Sequence, residues 1–194
     1  MLNKIILASK SEVRKQILLK HGIDCHVEPS NVDEEPVKQS LIKGGATPEI
    51  ISKNLAELKA NKVSLKKKNE IVLGADSVID LEGKIISKPE NREEALEILK
   101  KLNGKHHFLI SSVCLSKNGK MIWHHSDKAK LTMKNFEILE LKNYLEKVTD
   151  KALYAYNVYQ IEGVGKDLFL KIEGNENTIM GLPIEKIKEY LKNL

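Results

Sequence analysis

The sequence predicts an α/β fold: a mixed, twisted sheet with flanking helices. Three observations carry this. Short apolar runs of buried-strand type, such as Ile5-Ile6-Leu7-Ala8 and Ile71-Val72-Leu73, alternate with amphipathic helical stretches. The turn pairs Glu82-Gly83 and Asn118-Gly119 sit between strand-like segments and imply hairpins, so the sheet is mixed rather than wholly parallel. With 194 residues, 41% hydrophobic and 30% charged, the chain suits one domain or two tightly joined lobes.

The elements follow in order. Residues 4–8 read as a buried strand and 11–21 as a helix with Val13, Ile17 and Leu18 on one face. Residues 23–28 form a second short strand, followed by an acidic loop, Asn31-Val32-Asp33-Glu34-Glu35-Pro36. A long helix opens near Pro48 and runs to about residue 66. The strand at Ile71-Val72-Leu73 ends in Gly74-Ala75-Asp76-Ser77, and Val78-Ile79 pairs with Ile85-Ile86 as a hairpin. Residues 91–102 give the clearest helix, with Ala95, Ile98, Leu99 and Leu102 at i, i+3, i+4 and i+7, stopped by Asn103-Gly104. Two long strands, 106–116 and 120–133, meet at Asn118-Gly119. A helix covers 138–148, a strand 168–172, and a last helix starts at Pro183 and buries Ile184, Ile187 and Leu191.

Composition narrows the function. No apolar run approaches the roughly 20 residues needed to span a bilayer, and the start Met1-Leu2-Asn3-Lys4 has no signal-peptide layout. Cys25 and Cys114 are far apart and give no disulfide framework, which fits a reducing cytoplasm. The net charge of +5 suits an anionic partner, whereas 5% aromatic residues argues against a stacking platform for nucleic acid.

Several residues are candidates for chemistry. Ser9-Lys10-Ser11 lies where a strand hands over to a helix; Ser11 can be a plain N-cap, or the segment can cradle an anion. Asp76 follows an apolar run and a glycine, in the position where α/β folds place ligands, although aspartate is also an ordinary turn former. Glu34 and Asp76 together can supply oxygen ligands to Mg²⁺ or Mn²⁺. Lys59 lies beside the stripe of Ile51, Leu55 and Leu58, where it either snorkels or enters a cleft. Lys88 is held extended by Pro89. In the pairs His106-His107 and His124-His125, strand neighbours point to opposite faces, which argues against chelation by either pair. The sequence has neither G-x-S-x-G nor a Walker A motif.

Taken in order, these pieces resemble the Maf family of nucleoside triphosphate pyrophosphatases over nearly the whole chain. The resemblance rests on Leu7-Ala8-Ser9-Lys10-Ser11, Val32-Asp33-Glu34, Leu55-Ala56-Glu57-Leu58-Lys59-Ala60 and Leu73-Gly74-Ala75-Asp76. It continues through Ser87-Lys88-Pro89, Ile161-Glu162-Gly163-Val164-Gly165 and Gly181-Leu182-Pro183. It implies a single domain over 1–194 with two lobes around a cleft, a divalent cation (Mg²⁺, Mn²⁺ or Co²⁺), and hydrolysis of a nucleoside triphosphate to monophosphate and pyrophosphate. It further implies that Asp76 is the catalytic carboxylate, that Glu34 helps hold the metal, and that Ser9, Ser11, Arg14, Lys59 and Lys88 bind the triphosphate. Members of the family often form homodimers, and no interface signature is visible in this sequence.

Three positions depart from the commonest family pattern, and all three are associated with base choice: Val13 stands for arginine, Ser77 for threonine and Glu162 for glutamine. Glutamate at 162 matches the branch acting on 7-methyl-GTP, but that branch carries tryptophan where this chain has Val13. An ionised Glu162 only accepts hydrogen bonds, which suits the adjacent N–H groups of guanine over the carbonyls of uracil and thymine. The expectation is a guanine-type preference, 7-methyl-GTP included; the alternatives are a UTP/dTTP pyrophosphatase or a nucleotide-binding regulator without catalysis.

Overall fold

In the computed structural model, which describes residues 4–150, 152–153 and 157–194, the chain forms a seven-stranded mixed sheet with flanking helices. Residues 1–3, on which the signal-peptide expectation falls, lie outside the described residues. The strands are β1 (Ile5–Leu7), β2 (Cys25–Val27), β3 (Val72–Leu81), β4 (Lys84–Ile86), β5 (His106–Lys117), β6 (Lys120–Met133) and β7 (Phe169–Glu173). Their order is β2-β1-β3-β5-β6-β7, with β4 paired to β3. The helices are α1 (Glu12–Lys20), α2 (Glu34–Lys43), α3 (Pro48–Ser64), α4 (Arg92–Leu102), α5 (Ile138–Lys147), α6 (Glu176–Ile179) and α7 (Ile184–Lys192), with a 3₁₀ turn at Val164–Leu168.

The chain divides into two compact units. The first holds residues 1–78, 110–128 and 175–194; the second holds 79–109 and 129–174. In the first, β1 pairs in parallel with β2 on one side and β3 on the other. Alternation along the strands sends successive side chains to opposite faces. Ile5, Leu7, Leu73, Ala75, Val113 and Leu115 pack with Ile17 and Leu18 of α1 and Ile184, Ile187 and Leu191 of α7. Ile6, Ala8 and Val72 pack with Val63 of α3, while Cys114 meets Ala56 and Ala60 of the same helix. Helices α1 and α3 therefore cover opposite faces, and the chain passes from β1 to β2 on one side but from β3 on to β5 on the other, so the strand order reverses between β1 and β3. Such a switch point opens a crevice at the carboxyl ends of the strands.

In the second unit, α4 packs on α5. Ala95, Ile98, Leu99 and Leu102 are buried, as their spacing predicts. Arg92 donates to the carbonyls of Leu145 and Val148 at 2.7 and 2.9 Å, satisfying the end of α5. Strand β7 pairs antiparallel with β6.

Two expectations need correction. The acidic segment is not all loop, because α2 begins at Glu34 with Asp33 as its N-cap. Its acidic first turn and early proline suit a helix start, where carboxylates meet the positive end of the dipole and proline lacks only an unneeded N–H. The strand at Ile71-Val72-Leu73 does not stop at Gly74, since β3 runs unbroken to Leu81. Gly74 is a close-packing position: a Cβ there would overlap the Ala56 carbonyl oxygen and lie 2.7 Å from the Ala60 nitrogen. The missing side chain lets α3 lie directly on the strand.

Candidate active site

Asp76 is a strand residue, two positions after Gly74 and hence on the same face, toward α3. It is 7% exposed, and Ser52 of α3 donates to its main-chain oxygen at 3.1 Å. Lys59, 8% exposed, does not snorkel. Its ammonium lies 2.8 Å from Asp76 Oδ1 and 2.9 Å from Glu34 Oε2. The acidic start of α2, the buried side of α3 and the middle of β3 thus meet at one cation. Asp76 Oδ2 is buried and has no hydrogen-bond partner among the described residues. A buried acceptor without a donor is costly unless a ligand satisfies it.

The Ser9-Lys10-Ser11 turn follows the end of β1 in the same unit. Ser9 Oγ accepts from the Ser11 N–H at 3.2 Å, and Ser11 Oγ accepts from the Arg14 N–H at 3.3 Å, so Ser11 is the N-cap of α1. Capping and anion binding are compatible, because the helix start still supplies partial positive charge.

Arg14 is more committed than its sequence position suggests. Its Nε donates to the Gly181 carbonyl at 3.0 Å, and its Nη1 to Ser9 Oγ at 3.3 Å and Ala75 O at 3.0 Å. Its Nη2 donates to Ser77 Oγ at 3.1 Å. Strand β1 ends while β3 continues, and the guanidinium takes the Ala75 carbonyl that a longer β1 would have paired. Desolvation lowers the Arg14 pKa, against which Asp76 and then Glu34 raise it. Four of its five N–H groups are engaged within the protein.

The remaining candidates sit on other elements. Val13 is partly buried against the core around Ile17 and Leu18. Lys88 lies between β4 and α4, and Glu162 is exposed on the turn before the 3₁₀ segment; both belong to the second unit. The two histidine pairs divide as strand neighbours should, with His107 buried and His106 exposed. Among the described residues no group of three or more His, Cys, Asp or Glu side chains could hold a metal. Sequence reasoning missed Ser52, Ser111 and Thr178, all fully buried. Only Ser111 carried a signal, a hydroxyl within the apolar stretch of β5; Ser52 and Thr178 lie in helices of mixed or polar sequence.

Fold and site define an α/β protein with a buried carboxylate–lysine centre beside a switch-point turn. Within that class the chain belongs to the Maf family: the Maf-like protein model matches residues 4–194. A relative from Pelagibacter ubique named nucleoside triphosphate pyrophosphatase is 71% identical, over 99% of this chain and 98% of its own. One of the same name from a Ruegeria species is 38% identical, over 96% and 94%. A Brucella abortus relative named 7-methyl-GTP pyrophosphatase is 40% identical, over 93% and 91%.

Proposed function

We propose that this chain hydrolyses a nucleoside triphosphate to the monophosphate and pyrophosphate, assisted by a divalent cation. One observation carries the reading: the buried Asp76 carboxylate keeps an unpartnered oxygen while Lys59 joins its other oxygen to Glu34. The names of the 71% and 40% identical relatives support the same reaction class.

The donor set fits Mg²⁺, Mn²⁺ or Co²⁺. Hard cations of this kind take one or two carboxylates and complete their shell with water and substrate phosphate, and Asp76 and Glu34 would be the protein's share. The bound cation would supply phosphate screening and a more acidic water. Asp76 orients the water that attacks the α-phosphorus; the bond from that phosphorus to the bridging oxygen breaks, and pyrophosphate leaves. Ser9, Ser11 and the start of α1 hold phosphate oxygens. Lys59 has one N–H beyond its two carboxylate contacts, and it stabilises charge on the leaving group. Arg14 adds charge and one remaining N–H. The part given to Lys88 rests on the family resemblance.

The finer reading is a guanine-type preference, 7-methyl-GTP included, carried by the acceptor-only carboxylate of Glu162 and supported by the Brucella abortus relative's name. Val13 offers no aromatic face to stack on a methylated base, and Ser77 is the third position of this set. Pyrophosphate release from 7-methyl-GTP, GTP, CTP, UTP and dTTP, with each metal and with a chelator, tests both levels. Binding without turnover under every metal would replace the enzyme by a nucleotide-binding regulator. A wild type that prefers UTP or dTTP, or a Glu162→Gln variant that alters all bases alike, would overturn the base reading.

A further inference from the structure

Ser111, Thr178 and Gly181 form a closed hydrogen-bonded ring with Arg14 and Ser77, all within the first unit. Ser111 Oγ donates to the Thr178 carbonyl at 2.7 Å, and the Gly181 N–H donates to that same carbonyl at 3.0 Å. Ser77 Oγ and Ser111 Oγ are 2.8 Å apart. A carbonyl can only accept, so the single Ser111 proton goes to Thr178, and the Ser77 proton must go to Ser111. The Ser77 oxygen then accepts from Arg14 Nη2, and Arg14 Nε closes the ring on the Gly181 carbonyl. Every proton in the ring has one direction.

The ring tolerates little change. Gly181 has φ +92°, and a Cβ there would lie 3.0 Å from Ser77 Oγ and 3.2 Å from Arg14 Nε. Only glycine lets the backbone approach this closely without strain. Ser111 and Thr178 are fully buried, and the Thr178 hydroxyl donates to Asp127 Oδ2 at 2.6 Å, tying the segment to β6. The face of the guanidinium turned away from the ring, Nη1, holds Ser9 Oγ and Ala75 O. The ring thus sets the spacing between the Ser9–Ser11 turn and the stretch of β3 that leads into Asp76.

We propose that Ser111 and the Thr178–Gly181 backbone are positioning elements that act through Arg14, fixing the phosphate-binding turn against the strand of the catalytic carboxylate. This rests on the pyrophosphatase reading above. The network predicts that geometry, not charge alone, is what Arg14 contributes: lysine keeps the charge but lacks the planar fork.

The test compares wild type, Ser111→Ala and Arg14→Lys by steady-state kinetics, and wild type with Ser111→Ala by NMR exchange of the Arg14 Nε–H. Ser111→Ala should lower kcat about 10- to 100-fold with a much smaller change in KM, as expected for a misplaced group. Arg14→Lys should show a loss of similar size despite its retained charge. In Ser111→Ala the Nε–H should exchange about tenfold faster or more, whether or not the sample turns over. Wild-type kinetics in Ser111→Ala, full activity in Arg14→Lys, or an unchanged Nε–H would overturn the inference. Should Ser111→Ala fail to fold, Arg14→Lys and Ser77→Ala interrupt the same ring and decide the matter. A wild type that releases no pyrophosphate from any triphosphate sinks the activity reading instead, and the exchange measurement still judges the ring.

Discussion

Two side chains decide most at the residue scale. Asp76→Asn keeps the volume of the side chain and removes its charge. Turnover should fall about 10³-fold or more, the upper range for one electrostatic contact in the transition state, while the fold stays intact by circular dichroism. Near-wild-type kcat would remove Asp76 from the chemistry. Lys59 is the counter-charge of a buried pair, and removing one member leaves the other uncompensated. Lys59→Ala should therefore cost about 3 kcal/mol of stability as well as about 10²–10³-fold in kcat/KM. Added Mn²⁺ should restore part of the lost melting temperature in this variant, because a cation at Asp76 and Glu34 replaces the missing charge. A melting temperature that ignores metal would argue against these two carboxylates as its ligands.

At the scale of elements, the contact between α3 and β3 matters most, because it carries both Lys59 and Asp76. It depends on Gly74, where any side chain would push into the helix backbone at Ala56 and Ala60. Gly74→Ala should destabilise the protein by about 3 kcal/mol, or roughly 6–12 °C in melting temperature for a chain of this size. Because the strain falls on the strand that holds Asp76, kcat should drop in the surviving folded fraction too. A melt within a degree of wild type would mean that α3 can move away from β3 without loss. Helix α2 shows how a signal can be present and misread. Asp33, Glu34 and Pro36 are start signals, yet the acidic stretch from Asn31 to Pro36 reads equally as loop. What resolved it was the Lys59 contact, which holds the first residue of α2 in place.

The molecule as a whole carries a pH dependence located in the second unit. His107 is buried, its Nε2 is 2.7 Å from the Tyr159 hydroxyl, and its Nδ1 has no partner among the described residues. Burial, with a smaller contribution from His106, pushes its pKa down to about 4 from the ordinary 6.5. The unfolded chain therefore binds more protons than the native protein between about pH 6.5 and 4. The stability conferred by the neutral imidazole is complete above pH 6.5 and is lost as pH falls toward 4. The loss should be about 3 kcal/mol, read as the difference between wild type and His107→Gln in denaturant melts across that range. Gln keeps a hydrogen-bonding group for Tyr159 and does not titrate. Parallel stability curves for the two proteins would place the pH dependence elsewhere. No helix among the described residues is long and apolar enough to cross a membrane.

What the sequence determined by itself was local. Helix periodicity at 91–102, the cap at Ser11, the turn pairs and the alternating apolar runs all express interactions within a few residues, and the structure reproduces them. The order of short motifs placed the chain in its family for the same reason, since each motif is a few adjacent residues. Glu34, Lys59 and Asp76 were legible as candidates, but not as a triad, because spacing along the chain says nothing of distance across it. Gly74 could be read as a strand end as easily as a packing site until α3 was laid on it. Arg14 looked like a ligand for phosphate, and only the tertiary fold revealed that Ser9, Ala75, Ser77 and Gly181 already claim four of its N–H groups. Those partners lie up to 167 residues away. Long-range hydrogen bonds and close backbone contacts leave no periodic trace in a sequence, because they are set by how the elements stack.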